Sequence, residues 1–151
     1  MNEKLNSLIG IPWSRSAPPD GADCFSLALY AQEVLWGRQV DPWRYGDPSW
    51  STDEEMLGKT LADLEAGLAR FCDRADGPAE GIMATVSAFG YVHVVTFVDP
   101  FHVLHIAKGK TSQVSPFGSW FRSRVRAYWK IRDEEVVPGG SCGGRCADRR
   151  D

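Results

Sequence analysis

The chain has 151 residues, 43% of them hydrophobic and 25% charged, and a formal net charge of −3 at pH 7. That length and balance fit one compact soluble domain and exclude disordered or fibrous chains. The negative balance also counts against a general nucleic-acid binder, so no nucleic acid is expected as a partner.

No stretch approaches the roughly 20 apolar residues that cross a bilayer, so no membrane span is expected. The start "MNEKLNSLIGIPW" carries one lysine, one glutamate and a short apolar patch, unlike a signal peptide. The expectation is a protein made in a cytoplasm, carried out by something else if it works outside.

Taken in chain order, residues 1–22 read as loop, with "APPDG" as a breaker. From Cys24 to Trp36, apolar residues fall at 24, 27, 28, 31, 34 and 35, a helical spacing that Gly37 can end. Asp23 stands where it caps that helix. "DPWRYGDPSW" is a Pro- and aromatic-rich loop. A second helix is predicted from Ser51 to Asp73. Ser51 and Glu54 fit a capping box, Leu57, Leu61, Leu64, Leu68 and Phe71 mark a buried stripe, and "DRADGP" closes the helix.

After Gly77 the period changes. "IMATVSAF", "YVHVVTFV", "HVLHIAK" and "RVRAYWKI" are β-branched or aromatic runs, the last two joined by a link containing "KGKTSQVSPFGS". Helices first and strands afterwards predict an α+β fold, with helices packed on one face of a mainly antiparallel sheet. The arginines of "FRSRVRAYWK" read as a solvated strand face. The folded domain is expected over 1–133, followed by a flexible Gly- and Cys-containing tail over 134–151.

Four cysteines do not make a disulfide framework here. Cys72 reads as an inert core thiol on the second helix. Cys142 and Cys146, in "GGSCGGRC", lack a second pair or a histidine to complete a metal site, so no metal is expected. Cys24 differs because it sits at a predicted first helical turn. There the helix dipole and unpaired amides can lower a thiol pKa. Taken alone, packing in the core explains it equally well.

A thiol nucleophile needs a base, and the chain has three histidines. His93 lies in an alternating run, with Tyr91, Val95 and Phe97 on its side. His105 lies in the next strand, beyond the short "DPF" turn. With that turn centred near residues 99 and 100, His93 and His105 are expected directly opposite one another. His102 falls on the other face and drops out. One imidazole then faces the thiol while the other fixes its tautomer and orientation. The helix is expected to pack on the face that both histidines share.

"GIPW…DGADCFSLALYAQEVLWG" followed by "YVHVVTFVDPFHVLHIAKGKTSQV" resembles the NlpC-type cell-wall endopeptidases, a branch of the papain-like cysteine peptidases. The resemblance runs from about Leu8 to Ile131. It implies Cys24 as nucleophile, His93 as base and His105 as the third polar residue. It further implies peptidoglycan stem peptides as substrate and no metal or other cofactor. Asp23, Trp13 and Tyr91 are the residues expected to flank the substrate or the oxyanion.

The small single domain and the ending "RVRAYWKI" look most like versions carried in phage tail tips. That implies tail-tip proteins as partners, a place in the virion and action at the cell wall. Trp13 stands where the family has tyrosine, Phe25-Ser26 replaces Ser-Gly, and Val94-Val95 replaces a small residue. "EGIM" lacks the usual aspartate. A catalytically silent tail-tip module of the same fold is the alternative. An amidase, or transfer to an acceptor other than water, would use the same thiol.

Overall fold

The structure, a computed structural model, describes residues 2–14, 18–41, 44, 61–88 and 91–137, except for the side chains of 2, 61–63, 88 and 91. The described elements run α1 (Asn2–Asn6), α2 (Cys24–Trp36), α3 (Leu61–Leu68), β1 (Cys72–Ala75), β2 (Met83–Ala88) and β3 (Tyr91–Asp99). They continue with β4 (His102–His105), β5 (Gln113–Pro116), α4 (Ser119–Arg122), β6 (Val125–Ile131) and a 3-10 turn at Asp133–Glu135. Six strands form one sheet in the order β1-β6-β2-β3-β4-β5, and every neighbouring pair is antiparallel. The expected α+β architecture is the observed one.

Helix α2 forms because both of its ends are specified locally. Asp23 Oδ1 accepts from the Ser26 amide at 2.8 Å, and Ser26 Oγ accepts from the Asp23 amide at 3.0 Å, a reciprocal capping box. At the other end Gly37 adopts φ +65°, which side chains disfavour, and its amide donates to Glu33 O.

The helix is buried on more than one stripe: Cys24, Phe25, Leu27, Ala28, Leu29, Ala31, Gln32 and Leu35 are all inside. A fully buried glutamine must be paired. Gln32 Nε2 donates to Gly81 O at 3.0 Å, and its Oε1 accepts from Arg38 Nη1 at 3.2 Å. Gly81, at φ +84°, leaves room for that arginine, since a Cβ there would lie 2.9 Å from Arg38 Nη1. The C-terminal half of α2 is thereby tied to the start of β2.

Two apolar layers line the sheet. The first holds α2 and α3 against Met83, Val94, Val98, Leu104, Ile106, Trp129 and Ile131. The second, on the opposite face, gathers Val86, Val95, Phe97, Val103, Phe117 and Phe121. Phe97 meets Phe117 edge-on, with ring centroids 4.8 Å apart.

Several sequence expectations need correction. The second helix ends at Leu68 rather than Asp73, and Cys72 and Asp73 belong to β1, paired with Ile131 and Lys130. A four-residue run with two charges carries no strand period. The predicted opening at Ser51 lies outside the described residues.

Arg132 secures this corner. Its Nη1 donates to Ala69 O and Cys72 O at 3.2 and 3.0 Å, its Nη2 donates to Arg70 O, and Glu134 lies 3.1 Å from Nε. Helix α1 and strand β5, both read as loop or link, are also present. Packing continues past residue 133: Glu135 is buried, Val136 bridges Val40, and the Val137 amide donates to Gln39 O. Cys142, Cys146 and the rest of the expected tail from 138 onward lie outside the described residues, as does most of "DPWRYGDPSW".

Candidate active site

Cys24 is the first residue of α2 and only 4% exposed. Its sulfur lies at the backbone amides of Val94, Cys24 and Phe25, so the helix start is set against strand β3. The expectation that this setting lowers the thiol pKa is overturned. Burial pushes it up to about 12, the neighbouring Asp23 charge adds to the rise, and the three amides oppose both without winning. Removing a charged sulfur from water costs more than a single helix end returns. The resting group is a thiol, so its proton must leave as it attacks.

The histidines are brought near one another, but not as expected. The β3–β4 turn is tight, and Asp99 Oδ1 accepts from the Phe101 amide at 2.7 Å. A register shift between Phe97 and Asp99 then pairs Thr96 with Leu104 and Phe97 with Val103. Continuing that register sets His105 opposite Val95, diagonal to His93 on the same face. The expected direct pair is therefore a diagonal one, because the turn and its bulge lie further along the chain than assumed.

That shared face is also not the one under α2. His93 pairs with Val86, and cross-strand partners share a face, so His93 lies with Val86, Val95 and Phe97 in the second layer. The His105 ring meets Phe121 of the same layer edge-on, with centroids 5.3 Å apart. Cys24, in the first layer, approaches β3 at Val94, the residue beside His93. His102 points away and bonds Asp99 at 3.0 Å.

Both candidate histidines are partly buried. Burial lowers the pKa of each, and His93 lowers that of His105 further. Two neutral rings able to take a proton therefore lie on the face of β3 opposite the protonated thiol. A group missed in the sequence completes this arrangement. Ser115 Oγ, on β5, lies 2.7 Å from His105 Nε2 in a hydrogen bond. "QVSP" is too short to announce a strand, and only the register β4 imposes, with His105 opposite Gln113, turns Ser115 toward the ring.

Of the other expected residues, Asp23 and Trp13 flank the helix start. Asp23 is buried as the cap of α2. Trp13 is half-buried against the first layer, bridges Ala22, and donates its amide to Lys110 O at 3.0 Å. It sits in a strap held by Ser112, whose Oγ donates to Leu8 O at 2.6 Å and accepts from the Ile11 amide at 2.9 Å. The backbone of Tyr91 opens β3, and its side chain lies outside the described residues.

No family model and no curated protein matches the sequence. Among solved structures, the chain is similar to the NlpC/p60 domain of the peptidoglycan hydrolase SagA. The match has a TM-score of 0.51 and 17% identity, and it covers 86% of this chain and 95% of that one. At that identity the likeness is one of fold. The chain has the α+β, papain-like fold of an NlpC/p60 domain.

Proposed function

We propose that the protein is a thiol-dependent hydrolase that cleaves peptide bonds in peptidoglycan stem peptides. The observation that carries this reading is the seating of Cys24, first residue of α2, against the strand that bears His93, in a fold shared with a peptidoglycan hydrolase domain. Cys24 Sγ attacks the scissile carbonyl carbon as its S–H proton passes to His93, since the buried thiol does not ionise beforehand. The His93 ring has to turn from the opposite face of β3 to reach the sulfur. The backbone N–H of Cys24 holds the oxyanion, a donor typically worth about 3 kcal/mol. Collapse of the tetrahedral intermediate breaks the C–N bond, and His93 returns the proton to the departing amine. Water then releases the acyl group from sulfur. His105 orients His93, and Asp23, Trp13 and Tyr91 border the substrate.

The test is digestion of purified sacculi, with fragments read by mass spectrometry. The parent is expected to release muropeptides and Cys24→Ala is not; the fragment masses name the bond. The resemblance of "RVRAYWKI" and the small domain to phage tail-tip versions extends the reading to a virion component with tail proteins as partners. Recovery of the chain with purified particles checks that extension.

The near-complete burial of Cys24 favours a second reading, a catalytically silent module of the same fold. Equal fragment yields from parent and Cys24→Ala, or none from either, select it.

A further inference from the structure

The hydrogen bond between Ser115 and His105 is 2.7 Å long, and the sheet itself sets it up. His105 pairs with Gln113 and Val103 pairs with Ser115, so Ser115 is the diagonal neighbour of His105 on one face. Phe121 stands edge-on to the ring at 5.3 Å and limits its tilt. One nitrogen is bound and one flank is covered, so the ring is fixed in both rotation and position. His93 is a titratable neighbour, close enough for its charge to act on His105.

We propose that Ser115 is a positioning residue, whose hydroxyl donates to His105 Nε2, keeps the ring's single proton on Nδ1 and so orients the histidine that orients His93. The chemistry follows from the count of donors. A neutral imidazole has one N–H and one acceptor nitrogen, and burial holds this ring neutral at pH 7. If Ser115 donates into Nε2, Nδ1–H is the only donor the ring can offer its histidine neighbour. If the ring donates to Ser115 instead, it has nothing to offer and can only accept. No bond is made or broken by Ser115; it selects a tautomer. The link to His93 rests on the hydrolase reading above, whereas the hold of Ser115 on the ring does not.

The experiment follows the tautomer of His105 by NMR of the full-length protein, with 15N-labelled histidine, at neutral pH. The parent and two variants, Ser115→Ala and Ser115→Thr, are compared. The parent is expected to show Nδ1–H, Ser115→Ala a shift toward Nε2–H, and Ser115→Thr the parent pattern restored. On a soluble muropeptide, kcat should fall roughly tenfold in Ser115→Ala with KM unchanged, and recover in Ser115→Thr. Nε2–H in the parent, or the same tautomer in parent and Ser115→Ala, overturns the proposal. A parent without hydrolysis whose tautomer still responds to Ser115 removes the hydrolase reading and upholds the positioning one.

Discussion

The two buried cysteines form a natural comparison. Cys24 opens a thirteen-residue helix and Cys72 opens a short outer strand, yet both are nearly inaccessible and both have thiol pKa values pushed up to about 12. At Cys24 the amides of Val94 on β3 and of Cys24 and Phe25 at the helix start work downward and Asp23 works upward. At Cys72 Arg132 works downward while Asp73 and Glu135 work upward. Burial leads at both sites and levels the outcome. What separates the two sulfurs is therefore what lies beside them rather than how readily they ionise. Cys24 rests on the strand that carries His93, whereas Cys72 faces Ile131 at the far side of the sheet. A nucleophile in this fold has to be made by a neighbouring base.

The largest effect that would break this comparison concerns turnover. Cys24→Ala should reduce muropeptide release at least about 1000-fold, because nothing else supplies the nucleophile. Cys72→Ala should leave turnover within about twofold and cost on the order of 1 kcal/mol of stability through lost packing. Equal losses from the two variants, once both are shown to fold by circular dichroism, would erase the distinction.

A smaller effect sharpens it. Asp23→Asn keeps a competent helix cap but removes the charge beside the sulfur. Alkylation of Cys24 by iodoacetamide at pH 8 should then rise about three- to tenfold, since each pKa unit is about tenfold in thiolate. Cys72, with its own charged neighbours, should react at an unchanged rate, which peptide mapping of the label can follow.

The smallest effects are in stability against pH. The folded thiols titrate near 12 and unfolded ones near 9.0, so unfolded chains release protons first and Tm should fall as pH rises from 9 toward 12. Cys72→Ala should remove part of that fall. On the acid side the sign follows from the histidines, whose folded values lie below the ordinary 6.5. Their contribution is complete above pH 6.5 and declines below it, because the unfolded chain takes up protons first. His105→Gln should flatten this acid limb in a calorimetric pH series; an unchanged limb would mean that the ring is not held neutral by the fold.

Much of this was legible in the sequence where the signal is local. Asp23, the apolar spacing after it and Gly37 specify α2 within one stretch, and the runs from Met83 to Asp99 and from Val125 to Ile131 read as strands. Co-location of Cys24 with β3, and of His93 with His105, also follows from the order of elements. What did not follow depends on register. The place of the turn and the shift between Phe97 and Asp99 together move His105 by two positions relative to His93, and no residue type announces them. Strands β1 and β5 are four residues each and exist only through their partners, so Ser115 was invisible. The thiol pKa was misjudged because a helix end is visible in a sequence, whereas the depth of its burial is not.

The strap that carries Trp13 has a consequence for how the protein comes to be folded. Ser112 ties it down by bonds to Leu8 and Ile11, groups more than a hundred positions away along the chain. Loop closure over such a span is entropically unfavourable, and it is offset only once the intervening hairpins have drawn the two ends together. The strap should therefore dock late in folding, after the strands that carry its partners have formed. In pulse-labelling during refolding, the amides of Ile11 and Trp13 should be protected in the final phase.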